Sequence, residues 1–242
     1  MDLPGVEAAA RRARDAVVTL HNHPVNVSGW AASAAEAALR AARASAALDG
    51  ARLSAGQRVL EEDSAAGDIV TDPVLAGAVR AVEETGRLLG IWRSAPLQAL
   101  ARLHLLAAAD LTPDTLGRPA AGSERLALLA HLVAGGTAAP APVLAAVVHG
   151  ELLALAPFPS ANGVVARAAS RLTAIASGLD PHGLAVPEVG HLRAGPEYQR
   201  AAAGFADGTP EGLGAWIRHC CAQWEAGARE GRSIAEARTG AK

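Results

Sequence analysis

The apolar residues of this 242-residue chain are mainly alanine and leucine, and this choice constrains the fold more than any other feature. Hydrophobic residues make up 50% of the sequence, whereas aromatic residues make up only 3%. Valine and isoleucine are scattered, and alternation with a period of two residues is rare, so the pattern does not indicate an extensive sheet. Small apolar side chains at helical spacing favour closely packed helices. We therefore predict an all-α fold.

The first helix is predicted from the segment VEAAARRARDAVVTL, whose arginines are expected on a solvated side. Val17, Val18 and Leu20 are expected to turn inward. The helix is expected to end at the segment HNHP. His21 and His23 in this segment are of a type that binds metal, but no matching ligand cluster accompanies them. We interpret both as loop residues at a helix end.

A long alanine-rich helix is predicted next, and we expect Ser28 to cap it. Asp49 and Gly50 are its stop signal. A shorter helix is expected over residues 53–63 and is followed by a loop. The next helix is expected to begin near Pro73, because proline suits the first turn of a helix.

Most of the remaining chain also has helical spacing of its apolar residues. Helices are predicted over residues 75–89, 95–109, 123–136, 139–155, 164–179, 196–205 and 213–230. The segment TPDTLGRPAAGS, residues 112–123, is dense in proline and glycine and predicts a short hairpin or flap. A loop rich in proline and glycine is expected before residue 196.

Charge and composition exclude several kinds of partner. The net charge is −2, and no basic stripe carries interleaved aromatic residues, so nucleic acid is not expected as a partner. The N-terminus lacks the apolar stretch of a secretory signal, and the longest apolar run is interrupted by His149 and Glu151. Cys220 and Cys221 are poorly placed to bridge each other, which fits a reducing compartment. We expect a soluble, cytoplasmic protein with no membrane partner.

The segment LAPFPSANGVVARAASR, residues 155–171, has the outline of a phosphate-binding turn at the start of a helix. Backbone N–H groups at a helix start are unpaired and lie at the positive end of the helix dipole. Asn162 and Gly163 suit the backbone angles of such a turn, and Arg167 lies one helical turn further on. The alternative interpretation is an ordinary helix connection with Arg167 as a surface charge.

The same segment resembles the signature of the Fic/Doc (Fido) family. That signature runs His-Pro-Phe, any residue, an acid, Gly-Asn-Gly-Arg, two residues and Arg. The residues that match are Pro157, Phe158, Asn162, Gly163 and Arg167. Four positions depart from it: Ala156 replaces the histidine, Ser160 the acid, Ala161 the first glycine and Val164 the first arginine. The chain is thus similar to a degenerate member that lacks the motif histidine.

Further similarities extend this resemblance over residues 45–228. His149 falls where family members often carry a histidine on the helix that enters the motif. Residues 196–228 resemble the family's C-terminal pattern, an acid-Tyr pair followed by a helix opening on Trp-Ile. Upstream, Ser45, Asp49 and Gly50 resemble the inhibitory motif, Ser/Thr, three residues, Glu, and Gly or Asn, with aspartate in place of glutamate.

The resemblance implies a Fic-like helical domain over residues 70–230. An N-terminal helical segment, residues 1–69, would pack its inhibitory-like helix over the site, and residues 231–242 would form a C-terminal tail. We further expect Asp49 to pair with Arg167 and thereby tie the N-terminal segment to the mouth of the site. Such a pair in a closed pocket would leave no buried charge without a partner.

Fic enzymes typically transfer AMP from ATP to a protein hydroxyl. In the family the motif histidine takes the hydroxyl proton, the acid holds magnesium, and the loop and asparagine grip phosphates. The last arginine contacts the terminal phosphate or pairs with the inhibitory glutamate. By this resemblance the candidate cofactor-binding residues are Ser160, Ala161, Asn162, Gly163 and Arg167, and the regulatory residues are Ser45, Asp49 and Gly50. Neither a catalytic residue nor a metal ligand is predicted.

The substitutions in the motif predict loss of the family reaction. Ala156 cannot accept a proton, and a positioned general base contributes about 10²- to 10⁴-fold in rate. Ser160 is a weak magnesium ligand, and Val164 removes a charge that would stabilise the leaving phosphates. His149 lies two helical turns, about 10 Å, from Ala156, so we interpret it as a buried structural imidazole.

Three functions remain open at this point, and whether the chain is an enzyme is one of the questions. The first is a catalytically inactive module for nucleotide binding, regulation or interaction, with ATP or another nucleotide as ligand and without magnesium. The second is a transferase of AMP or another phosphate-linked group to a protein hydroxyl through a non-standard site. The third is a helical interaction protein in which residues 157–163 form only a turn. A protein partner or target is compatible with all three.

Overall fold

The computed structural model describes residues 3–51 and 72–240, and within these ranges all regular structure is helical. This confirms the all-α prediction. A short 3₁₀ turn, Pro113–Thr115, lies between the fourth and fifth α-helices. The α-helices of the described ranges are α1 (Val6–His21), α2 (Pro24–Leu48), α3 (Pro73–Ser94), α4 (Pro96–Ala107), α5 (Ser123–Val133), α6 (Ala141–Leu155), α7 (Asn162–Ala176), α8 (Pro187–Ala194), α9 (Pro196–Ala206) and α10 (Pro210–Gly240).

Helix α7 is the centre of the structure. Residues 164–174 are all buried, so this helix is enclosed on every side. It packs against α3, α4 and α6 and also contacts α2. Many of its residues are alanine, and small side chains let neighbouring helices approach closely. Arg167 and Arg171 are the two charged residues within this buried stretch.

The apolar core has two large parts that meet along α6. One part joins α3, α4, α6 and α7 around large side chains such as Trp92, Leu103 and Leu172. The other part joins α1 and α10 to α6 and contains Trp216 and Trp224. Most of the few aromatic residues of the chain are therefore buried in one of these two parts.

Helices α3 and α4 approach each other at Gly77. A Cβ atom at this position would lie 2.1 Å from the carbonyl oxygen of Ala107, which is far inside van der Waals contact. The absence of a side chain at residue 77 therefore sets the distance between the two helices that pack against α7.

The beginning of α2 differs from the prediction. Helix α2 starts at Pro24, with His23 as its N-cap residue, and Ser28 lies inside the helix. The prediction of Ser28 as the cap is therefore wrong. The reason is that Pro24 is compatible with a first helical turn, while the non-helical backbone of Gly29 (φ −140°) only kinks the helix. The predicted stop is correct, since Asp49 is the C-cap residue.

Helix α8 lies inside the segment that was predicted to be a loop. It begins at Pro187 and has only eight residues. This is too short a segment for a helical repeat of apolar residues to be recognised in the sequence. At the C-terminus, α10 continues through residues 231–240, which were predicted to form a tail. The helix predicted over residues 53–63 and the loop that follows it lie outside the described residues.

Residues 112–122 pack on the loop between α6 and α7 without forming a hairpin. Their regular structure is the 3₁₀ turn Pro113–Thr115, and no strand occurs in this segment. Frequent proline and glycine residues restrict the backbone hydrogen bonds available here, so a strand ladder does not form. Among the helices that the structure describes, none combines the length and apolar content needed to span a membrane.

Arg171 on α7 is buried together with its partner Glu188 on α8. The guanidinium donates from Nε and Nη2 to the two carboxylate oxygens of Glu188, each at 3.0 Å. It also donates to the carbonyl oxygens of Gly183 and Ala185 at 3.1 and 2.9 Å. Each side chain is 3% exposed. This network fixes α8 against the central helix.

We predict that Glu188→Ala destabilises the fold by about 3–5 kcal/mol, because Arg171 would remain buried without its counter-charge. Urea unfolding followed by circular dichroism measures the change. The control is Glu7→Ala, which removes an exposed pair with Arg11 and should cost less than about 1 kcal/mol. Equal losses for the two variants would contradict the assigned role of Glu188.

Candidate functional site

The loop between α6 and α7 begins and ends with an alanine in the left-handed backbone region. Ala156 follows α6 with φ of 40°, and Ala161 precedes α7 with φ of 54°. Left-handed backbone costs an L-residue roughly 1–2 kcal/mol, so the surrounding contacts must hold this loop in place. Histidine adopts this region more readily than most residues. The backbone at residue 156 is thus compatible with the histidine of the Fic signature.

Asn162 holds the loop closed from within. Its Oδ1 accepts a hydrogen bond from the backbone N–H of Phe158 at 2.9 Å, and its Nδ2 donates to the carbonyl of Phe158 at 2.7 Å. The ring of Phe158 stacks on His104 with 4.1 Å between ring centroids. Both polar atoms of the Asn162 side chain are therefore engaged in shaping the loop.

Residues 112–122 support the loop from outside. The hydroxyl groups of Thr112 and Ser160 lie 2.7 Å apart and share a hydrogen bond. The backbone N–H of Ala120 donates to the carbonyl of Pro157 at 2.8 Å. Ser160, predicted as a cofactor-binding residue, therefore already has a hydrogen-bond partner within the fold.

The carboxylate of Asp49 occupies the N-terminus of α7. Its Oδ2 accepts the backbone N–H of Val164 at 3.0 Å, and its Oδ1 lies 2.5 Å from Nη2 of Arg167. A Cβ atom at residue 163 would lie 2.2 Å from Oδ1, so the contact needs glycine there. Asp49 thus supplies the anion that the first turn of a helix favours.

Arg167 is 3% exposed and has a partner for each nitrogen of its guanidinium. Nε donates to the Ser45 hydroxyl at 2.8 Å, and Nη2 donates to the Ser45 carbonyl at 2.9 Å as well as to Asp49. Nη1 donates to the Tyr198 hydroxyl at 3.3 Å. Burial opposes the charge, but Tyr198 and Asp49 outweigh it and raise the pKa of Arg167 above its ordinary value. The guanidinium therefore stays charged.

The structure brings most of the predicted site residues together. Ser45 and Asp49 at the end of α2 contact Arg167 directly, and Asp49 also lies against Gly163. Gly50 follows the C-cap of α2 with φ of 87°, so its contribution is to the backbone conformation. Tyr198 was not predicted as a site residue. The acid-Tyr pair at residues 197–198 was the sequence feature that could have identified it.

His149 lies next to this site but is buried behind it. Its Nε2 is 2.9 Å from the Tyr198 hydroxyl. Burial, reinforced by the positive charge of Arg167, holds the pKa of His149 well below its usual value. The side chain is therefore a neutral, enclosed imidazole, as expected from the sequence, and it has no solvent-facing position from which to take a substrate proton.

A cavity of about 450 Å³ opens beside the Asp49–Arg167 pair. Helices α2, α6, α7 and α9 each contribute to its walls. The residues that line it include Asp49, Leu153, Arg167, Tyr198, Gln199 and Ala202. One wall is apolar and the other carries a cation, a hydroxyl group and an amide. Such a site suits a ligand that joins an anionic group to a flat, less polar one.

We predict that Asp49→Ala increases the rate at which proteases cut the N-terminal segment. The substitution leaves Arg167 buried without a carboxylate partner, so the end of α2 should separate more readily from α7. Limited proteolysis followed by mass spectrometry measures the rate. The control is Glu36→Ala, which removes a partly exposed pair with Arg40 on the same helix. An unchanged rate of digestion for Asp49→Ala would refute the role of the Asp49–Arg167 pair in holding the N-terminal segment.

Comparison with known proteins identifies the architecture. Neither a protein-family model nor a curated protein matches the chain. A Fic family protein from Desulfovibrio desulfuricans G20 is 17% identical with a TM-score of 0.75, over 96% of this chain and 75% of that chain. A fragment of Fic-1 from C. elegans is 18% identical with a TM-score of 0.73, over 99% and 76% of the two chains. A Glu-to-Gly variant of this fragment is 18% identical with a TM-score of 0.76, over 97% and 73%. The chain therefore has the Fic fold.

Proposed function

We propose that this chain is related to the AMP transferases of the Fic fold but is inactive in that reaction. It acts instead as a nucleotide-binding or regulatory module whose site is closed by Asp49. One observation carries the proposal. The Asp49 carboxylate pairs with the buried Arg167 and accepts the N–H of Val164 at the N-terminus of α7. This is where a helix start would otherwise bind a phosphate group.

The chemistry of the loop argues against AMP transfer. The methyl group of Ala156 cannot act as a base, and the Ser160 hydroxyl already shares a hydrogen bond with Thr112. Val164 is a buried core residue, so its position provides no charge for a leaving phosphate. The loop therefore lacks the base, the acidic metal ligand and the first arginine of the signature, which would each lower the barrier to AMP transfer.

The binding elements of the site are better preserved than its reactive ones. Arg167 is held in place by Ser45 and Tyr198 as well as by Asp49. If the Asp49 carboxylate withdraws, the guanidinium and the N–H of Val164 both become available to an anion. Charge-assisted bonds from arginine to phosphate are among the stronger hydrogen bonds in proteins. The adjoining cavity of about 450 Å³ leaves room for the rest of a nucleotide.

Asp49 is suited to a reversible closure. Its side chain is 22% exposed, whereas that of Arg167 is 3% exposed, so solvent or a ligand reaches the pair from the acid's side. A phosphate that replaced the carboxylate would exchange one anion for another at the same cation. Arg167 is already buried in the fold, so the exchange removes no further water from its guanidinium. The free-energy change of the exchange is therefore small. A ligand or a protein partner that moves α2 could therefore control access.

We predict that Asp49→Ala strengthens the binding of ATP about tenfold or more, since the competing carboxylate is removed. Isothermal titration calorimetry with ATP, with and without magnesium, measures the affinity. Affinity should depend little on magnesium, because residue 160 is a serine. Adding Arg167→Gln to Asp49→Ala should abolish binding, while Glu36→Ala should match the unchanged chain. The absence of heat in every variant, at concentrations that detect millimolar affinity, would refute nucleotide binding.

We also predict that neither the unchanged chain nor Asp49→Ala transfers AMP to itself or to lysate proteins when given ATP and magnesium. The expected rate is at least about 10²-fold below that of an intact Fic site, from loss of the base alone. Modification that disappears on changing Arg167 would instead support an active transferase. Consumption of other nucleotides, compared with Asn162→Ala, tests for a different donor.

A further inference from the structure

A second cluster of functional side chains lies behind Tyr198, at the face of α10 that packs against α6 and α8. It consists of His149 on α6, His191 on α8 and Cys220 on α10. One ring nitrogen from each histidine and the cysteine sulfur all lie within 4.8 Å of one another. All three side chains are buried. We call these three residues the His–Cys cluster.

The ligand set of the His–Cys cluster is of the kind that zinc and similar metals prefer. Zinc binds cysteine sulfur at about 2.3 Å and histidine nitrogen at about 2.0–2.1 Å, so tetrahedral ligands lie roughly 3.3–3.8 Å apart. Each pair of candidate ligand atoms lies within 4.8 Å, so no pair needs to close by more than about 1.5 Å to reach tetrahedral spacing. His149 and His191 are both buried, and imidazole nitrogen together with cysteine sulfur is a ligand combination found in zinc sites.

Polar neighbours hold both histidines of the cluster in place. Nε2 of His149 lies 2.9 Å from the Tyr198 hydroxyl, and Nδ1 of His191 lies 3.2 Å from Nε2 of His219. Histidines that bind metals are usually oriented in this way by a hydrogen bond at one ring nitrogen.

The neighbouring cysteine does not belong to the cluster. Successive residues of a helix point about 100° apart, and the ligand atoms that converge within 4.8 Å do not include the sulfur of Cys221. Cys221 is also buried. It therefore provides a matched control with the same chemistry, the same helix and the same burial as Cys220.

We propose that His149, His191 and Cys220 form a binding site for a divalent transition metal of the zinc type. The metal displaces the thiol proton of Cys220, and the three protein ligands leave one tetrahedral position. This site differs from the Asp49–Arg167 site and does not depend on nucleotide binding. It departs from the sequence-based prediction, which contained no metal ligand, because its residues come from three separate helices.

Cobalt tests the proposal, because a cobalt ion bound to a thiolate in tetrahedral geometry absorbs visibly. The full chain, refolded under reducing conditions with Co²⁺, should bind one equivalent, show a thiolate-to-cobalt charge-transfer band, and lose it when Zn²⁺ is added. Cys220→Ser should lose the band and bind more than about 100-fold more weakly. Cys221→Ser should retain the charge-transfer band and the cobalt affinity of the unchanged chain. Circular dichroism and melting curves verify that each variant folds.

A measurement on the unchanged chain makes the outcome independent of any variant. X-ray absorption of the zinc-loaded protein should show one sulfur and two imidazole nitrogens bound to the metal. A count of no sulfur or of two sulfurs would overturn the proposal. So would equal loss of cobalt binding in Cys220→Ser and Cys221→Ser, or the absence of the charge-transfer band in the folded chain. The cluster would then be an apolar-core packing of neutral rings without a ligand.

Discussion

The buried positive charge of Arg167 is the constraint on which the candidate site depends. An arginine in the centre of α7 requires an anion close by, and Asp49 at the end of α2 supplies it. The pair joins two helices whose charged residues lie 118 positions apart. The same carboxylate completes the N-terminus of α7 through Val164. The Asp49 carboxylate therefore caps the central helix and links the end of α2 to α7.

Arg171, one helical turn from Arg167, shows how the same chemistry can have a purely structural use. Its partner Glu188 is as deeply buried as the arginine itself, and two backbone carbonyls complete the network. Asp49 is more exposed and borders a cavity. The two ion pairs thus differ in accessibility rather than in chemistry. The carboxylate of the pair at Arg167 faces a cavity, whereas both charges of the pair at Arg171 are enclosed.

Local physical rules accounted for much of the secondary structure. The helical period located most helices, and Pro73 marked the start of α3, where the Asp72 side chain caps Val74 and Leu75. Prediction failed where several local signals competed. Ser28 has the chemistry of a cap, but Pro24 opens the helix earlier. The short helix α8 was missed because eight residues are too few to show a helical repeat of apolar positions. Contacts to α7 and α10 hold this helix in place.

The sequence by itself determined the all-helical class, the turn before α7 and the absence of a base, an acid and a second cation from that turn. These follow from residue type and short-range spacing. The contact of Asp49 with Arg167 was expected only through the family resemblance, and the His–Cys cluster was not expected at all. Both depend on which helices become neighbours, and only the tertiary packing around α7 and α10 decided that. Distances in space between residues far apart in the chain cannot be obtained from local periodicity.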